Sequence, residues 1–187
     1  MFPEHTKTIF LGGRVSVTVG DITRQATDSI VNAANSTLRG GGGVDGAIHR
    51  AGGPVILEEC LEIRRTLYPE GLPAGEAVIT SGGLLAARYV IHTVGPIYGR
   101  SGGREAELLA SAYRNSLALA SARGLKGVAF PSISTGAYGY PREEAAAVAS
   151  KAVAAFLEGD ETVREVRLVF FSKDNMEVFL RNHKFDS

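Results

Sequence analysis

The sequence predicts a three-layer α/β/α sandwich around a mixed, mostly parallel sheet. Three observations predict it. Short β-branched apolar runs alternate with helix-period stretches along the chain. Glycines gather between these elements rather than in one tract, and they number 23 of 187 residues, where about 7% is usual. No linker or internal repeat divides the chain, so residues 1–187 are expected to form one domain.

The elements follow in order. Residues 8–11 and 14–19 read as two strands joined by Gly12-Gly13, a hairpin signal that brings the antiparallel part of the sheet. Residues 30–33 read as a short buried strand. Residues 47–67 read as helix with a break near Gly52-Gly53-Pro54, because proline cannot continue a helix interior. Residues 77–80 and 89–94 are strands. Residues 105–122 form an Ala/Leu-rich helix ended by Gly124. A strand at 127–131 follows. Pro141 then opens a helix running to residue 158, with Glu143 and Glu144 suiting its positive end. Its Ala-rich stretch, residues 145–155, reads as core rather than interface, so a monomer is expected. A last strand, 166–171, and a last helix, 175–182, complete the chain. On strand alternation, Phe170 and Phe171 both read as core residues.

The composition excludes several classes. Lys and Arg number 20, as do Asp and Glu, so the net charge is zero and strong nucleic-acid capture is not expected. The first ten residues, MFPEHTKTIF, lack the apolar run of a signal peptide, and no stretch has the length of a membrane span. The expectation is a cytoplasmic protein. Cys60 is the sole cysteine. It sits in a helix-period stretch and reads as a buried thiol, and one Cys among four His predicts no metal site.

In a sandwich of this type, ligands bind at the carboxyl ends of the strands. Two unusual loops fall there. One runs from Asn32 through Asn35 and four glycines, Gly40 to Gly43, into a helix carrying Asp45 and His49. Consecutive glycines present backbone N–H groups, and the helix start adds positive partial charge, so an anion such as phosphate is the suited ligand. Asp45 is either a helix-capping acid or a chemical group beside that anion. His49 lies one turn later on the same face, in support. The other loop, Pro131 to Pro141, carries Ser132, Ser134, Thr135, Gly136, Ala137, Tyr138 and Gly139. Its hydroxyls and amides suit a second phosphate, and the pair together suits a diphosphate. Neither loop contains the P-loop pattern. Asp21, in Gly20-Asp21-Ile22-Thr23, reads locally as a turn or cap acid, with an exocyclic amine as its functional partner.

Taken in order, these residues resemble the macrodomain family. The resemblance is carried by V-T-V-G-D-I-T ending at Thr23, I-V-N-A-A-N at Ile30 to Asn35 and G-G-G-G-V-D-G-A-I-H at Gly40 to His49. It continues in Y-V-I-H-T-V-G-P at Tyr89 to Pro96 and S-I-S-T-G-A-Y-G-Y-P at Ser132 to Pro141. Within that family the chain looks like the MacroD-like branch, whose members remove ADP-ribose from modified acidic side chains and deacetylate O-acetyl-ADP-ribose. The resemblance implies that ADP-ribose, ADP-ribosylated proteins or O-acetyl-ADP-ribose are the partners and that no cofactor is required. It implies that Asp21 and Ile22 take the adenine amino group and that Phe171 packs on adenine. Gly41, Gly42, Gly43 and Val44 would border the diphosphate. Ser134, Thr135, Gly136, Ala137 and Tyr138 would wrap the phosphates. Asn35 would face the distal ribose, Asp45 would be the base, and His49 would stand near it. The Q-E-E signature of poly(ADP-ribose) glycohydrolases is absent, as are the extra Cys/His ligands of a zinc-containing microbial group. A hydrolase is the first expectation. A reader that binds ADP-ribosylated proteins without turnover, and a regulatory partner of protein or RNA, are the alternatives.

Overall fold

A computed structural model describes residues 7–185. Strands β1 (Thr8–Phe10), β2 (Val15–Val19), β3 (Ser29–Ala34), β4 (Ala77–Ser81), β5 (Tyr89–Val94), β6 (Gly127–Phe130) and β7 (Glu165–Phe170) form one seven-stranded sheet in the order β1-β2-β7-β6-β3-β5-β4. The five central strands run parallel, and β1 and β4 close the two edges antiparallel. The expected mixed, mostly parallel sheet is therefore present.

Two assignments differ from the sequence reading. The β4–β5 pair is antiparallel as well, because residues 82–88 are too few for a parallel crossover, which takes about a dozen. The glycine-loop helix begins earlier than residue 47. It divides into α1 (Gly43–Gly52) and α2 (Pro54–Thr66), with Pro54 in the first turn of the second, where its missing N–H is harmless. Propensity hides that early start, since Gly is a poor helix former. Gly46 is needed there because a Cβ would press into the backbone carbonyl of Gly41.

Strand alternation sorts the core into two layers. Val31, Ile91, Val128, Phe130, Val166 and Leu168 point to one face, under α3 (Glu105–Ala122), α4 (Arg142–Gly159) and α5 (Lys173–Asn182). Ile30, Ala34, Val90, Val94, Ala129 and Val169 point to the other, under α1 and α2. Leu117 and Val153 are fully buried in the first layer, Ile48 and Ile56 in the second. Burial of such side chains contributes about 1.5–3 kcal/mol each, enough to fix which face is which.

Arg14, at the start of β2, ties the far end of the chain to the first hairpin. Its guanidinium donates to the carbonyls of Leu157, Asp160 and Val163 at 2.7, 2.6 and 2.6 Å. Those are carbonyls of the last turn of α4 and the turn into β7, which lack helical partners.

Candidate functional site

All five parallel strands point the same way, so their carboxyl ends share one edge. Gly20-Asp21 leaves β2, Phe171 leaves β7, residues 131–141 leave β6, residues 35–42 leave β3 and Gly95 leaves β5. The two sequence-predicted loops follow neighbouring strands, β3 and β6.

The first loop folds on Asn35. Its Oδ1 accepts from the Thr37 amide at 3.1 Å, its Nδ2 donates to the Gly40 carbonyl at 3.0 Å, and its own carbonyl accepts from Leu38 N at 3.2 Å. The cap of α1 is Gly42, which has no side chain to satisfy the first-turn N–H groups. That end therefore has no side-chain cap among the described residues and keeps its positive partial charge.

Asp45 lies in this first turn, 5% exposed, and caps nothing. Its Oδ1 accepts from Asn32 Nδ2 at 2.7 Å and lies 3.4 Å from His49 Nε2. Its Oδ2 faces the glycine loop: a Cβ on Gly41 would fall 3.0 Å from Oδ2 and 3.2 Å from Asn35 Nδ2. Asp45, Asn35 and Gly41 thus meet at one point beside the helix N-terminus. The i, i+4 spacing brings His49 to Asp45 as the sequence suggested, and His49 Nδ1 is buried with no hydrogen-bond partner among the described residues.

The second loop is shaped mostly by backbone. Tyr140 N donates to Ser134 O and Gly139 N to Gly136 O, both at 3.0 Å, while Thr135 Oγ1 donates to Ser132 Oγ at 2.7 Å. Ser134 takes a left-handed φ of 66°, a strained conformation for a residue with a Cβ. Its Oγ is buried and unpartnered among the described residues. Gly95 lets this turn sit against β5, because any Cβ there would collide with the Ser134 hydroxyl. The Tyr138 phenol is pushed up by burial and then by the charge of Asp45, which places the two loops in one electrostatic environment. Gly136 and Ala137 stay exposed at the loop tip.

The adenine-side expectations divide. Asp21 caps the short 3-10 turn Ile22–Arg24, with Oδ1 accepting from Thr23 N at 2.9 Å and Thr23 Oγ1 at 2.6 Å. The local cap reading is therefore what the geometry shows, and Ile22 is buried. The core reading of Phe171 is corrected. It lies one residue past the end of β7 and is 76% exposed, whereas Phe170 is buried against Phe179. The strand ends before Phe171, so alternation no longer buries its ring.

The sequence reading missed a buried polar line under Asp45. In the β3–β5 register Asn32 lies opposite His92. Asn32 Nδ2 reaches His92 Nδ1 at 3.1 Å, and His92 Nε2 reaches Thr80 Oγ1 at 2.9 Å. Thr80 Oγ1 donates on to Ser81 O at 3.0 Å. Hence Nε2 carries the His92 proton, and Nδ1 accepts from the amide. Burial, and then His49, push the His92 pKa down to about 3, so the ring stays neutral. Cys60 Sγ lies 3.6 Å from His92 Nε2, and its thiol is pushed up to about 12, first by burial and then by Asp45 and Glu59. His49, Cys60 and His92 bring possible metal ligands within 4.8 Å of one another, a gathering the sequence reading did not foresee. The one lone pair of neutral His92 is already engaged by Asn32, and the thiol is protonated. The signal was available in principle: Asn32, His92 and Thr80 are polar residues inside strands, each directly after a Val or Ile.

The Macro domain family model matches residues 31–149. The chain belongs to the macro domain family. An Escherichia fergusonii relative named O-acetyl-ADP-ribose deacetylase is 51% identical over 168 residues, covering 90% of this chain and 94% of the relative. A solved Oceanobacillus iheyensis macrodomain mutant with ADPR is 46% identical, with a TM-score of 0.89 over 95% of each chain. A Trypanosoma brucei macrodomain solved in complex with ADP-ribose is 38% identical, with a TM-score of 0.82 over 90% of this chain and 68% of that one. The two loops of this macro domain and the helix end that Asp45 occupies are thus set in a fold that two of these solved relatives share, each in complex with ADP-ribose.

Proposed function

We propose that this macro domain binds ADP-ribose across the carboxyl edge of its sheet and hydrolyses it from mono-ADP-ribosylated acidic side chains, or deacetylates O-acetyl-ADP-ribose. One observation carries the reading: a buried carboxylate, Asp45, presents Oδ2 beside Gly41 and Asn35 Nδ2 at the open N-terminus of α1. An acid, an amide and uncapped backbone donors are the parts needed to hold a diphosphate next to a water that must lose a proton. The relative named O-acetyl-ADP-ribose deacetylase and the ADP-ribose complexes of solved relatives support the same choice.

The diphosphate lies along Gly41, Gly42, Gly43 and Val44 and under Ser134 to Tyr138. The distal ribose then rests between Asn35 and Tyr138, with adenine against Asp21, Ile22 and Phe171. Asp45 takes a proton from water as the water oxygen bonds to the anomeric carbon. The bond from that carbon to the acceptor carboxylate breaks, and the acceptor leaves as the carboxylate. For the acetyl ester the same water adds to the carbonyl carbon, the bond from that carbon to the ribose oxygen breaks, and Asp45 returns the proton to the ribose oxygen as acetate departs. Asn35 orients the ribose or the water, and His49 stands behind Asp45.

General-base work of this kind contributes about 10²–10⁴ in rate. Asp45→Ala is therefore expected to lose about that factor in single-turnover release from a mono-ADP-ribosylated carboxylate protein, while calorimetry shows retained ADP-ribose binding. Tight binding with no release by wild type, on this substrate and on O-acetyl-ADP-ribose, makes the protein a reader and the glycine loop a cradle only.

A further inference from the structure

We infer that His92 is a positioning residue for the reaction: with Thr80 and Asn32 it forms a one-way hydrogen-bond chain that pins Asp45 Oδ1 and leaves Oδ2 to face the glycine loop. The inference rests on the hydrolase reading of Asp45 and extends it to three residues in the sheet.

The proton inventory fixes the direction of the chain. Thr80 Oγ1 gives its hydrogen to Ser81 O, so its oxygen must accept from His92 Nε2. His92 Nδ1 then has a lone pair, which accepts one hydrogen of the Asn32 amide. The second amide hydrogen goes to Asp45 Oδ1 at 2.7 Å. Every donor is used, and the last acceptor is the carboxylate. A flipped Asn32 would set its carbonyl against both Asp45 Oδ1 and His92 Nδ1, where neither bears a hydrogen, so the histidine tautomer holds the amide in the orientation that favours Asp45.

The placement argues against a packing role. Asn32 and His92 are completely buried and Thr80 is 3% exposed, all on the α1–α2 face among Ile30, Val90 and Val78. Apolar side chains would fill that space without the buried Asn32 Oδ1 that has no hydrogen-bond partner among the described residues. What the polar residues supply, and apolar ones would not, is a fixed carboxylate. Oδ1 is engaged from below by Asn32 and flanked by His49, so Oδ2 is the oxygen beside Asn35 and Gly41. A displacement of about 1 Å at such a group costs on the order of 10²-fold in rate.

The test compares wild type, Thr80→Val, His92→Leu and His92→Gln on the mono-ADP-ribosylated carboxylate protein, with ADP-ribose calorimetry and the 13C resonance of the Asp45 carboxyl. Thr80→Val keeps the shape and removes only the hydroxyl, which accepts from His92 and donates to Ser81 O. The expected result is a fall in kcat of about 10- to 100-fold in Thr80→Val and His92→Leu, with KM and ADP-ribose affinity within about twofold and a displaced Asp45 resonance. His92→Gln, whose carbonyl still accepts from Asn32, recovers much of that loss. The inference is overturned if kcat is unchanged in all three, or if kcat and ADP-ribose affinity fall together even in Thr80→Val. If wild type binds ADP-ribose and releases nothing, the hydrolase reading has failed. The chain is then decided by the Asp45 resonance: moved in Thr80→Val, the pinning holds; unmoved, it does not.

Discussion

The two faces of the sheet are built on different terms. Under α3, α4 and α5 the buried residues are nearly all apolar, and the hydroxyls of Ser116 and Ser150 turn back onto their own helices, to Ala112 O and Ala146 O. Under α1 and α2 the same alternation buries Asn32, His92 and Thr80, and α2 adds the Cys60 thiol, among fewer and smaller apolar groups. One face is assembled to hold the sheet together. The other gives up apolar packing to hold one carboxylate at the strand ends. The contrast teaches that burial alone does not identify a structural residue: the parity of a strand position says which task it serves.

The comparison breaks first on the apolar side. Leu117→Ala, in a fully buried site of α3, is expected to lower stability by about 2–5 kcal/mol through lost burial and a residual cavity. Release of ADP-ribose per folded molecule should stay at the wild-type rate below the new melting point. Urea melts alongside turnover check this, and a matching drop in turnover would show that the faces are not separable.

Acid probes the polar side with a smaller effect. His92 is neutral when folded down to about pH 3, but unfolded it takes a proton near its ordinary value of about 6.5. Between these values the unfolded chain binds the extra proton, so stability falls as pH drops through that window and is unaffected above it. The loss attributable to His92 is on the order of 1 kcal/mol near pH 5.5 relative to pH 8. His183 is shifted in the same direction by burial and Lys184, so the part of the slope that disappears in His92→Gln isolates the buried ring. A variant with the full wild-type slope would refute it.

The smallest effect sharpens the contrast at Cys60. Its thiol lies fully buried and protonated to about pH 12, so iodoacetamide at pH 8 should leave the native protein unlabelled and label it in urea. Mass spectrometry reads this directly, and rapid native labelling would mean that the α1–α2 face opens easily.

Much of this was legible from residues alone, for local reasons. The element order followed from period and turn chemistry. Asp45 and His49 followed from helix spacing, and the two loops from runs of glycine and small hydroxyl residues. What stayed hidden depends on pairing between distant segments. Asn32 and His92 are 60 positions apart and meet only because β3 and β5 pair in one register. A one-residue slip would turn both to the opposite face. The antiparallel setting of β4 depends on connection length rather than on its own residues. The early start of α1 is masked by glycines that the close approach of Gly41 requires. Phe171 was misread because alternation was extended one residue beyond the strand that imposes it.

Arg14 bears on where this protein could be cut. The stretch that matches the family, residues 31–149, contains both glycine loops and all three members of the buried polar line. It omits β1, β2, β7 and α5, and Arg14 with them. A minimal chain trimmed to those boundaries would strip the parallel neighbour β7 from β6 and leave an unprotected sheet border available to other molecules. It would also remove the last residues of α4 that the guanidinium secures. Besides the adenine-side residues Asp21, Ile22 and Phe171, which also lie outside that stretch, residues remote from both loops thus decide how short the working protein can be.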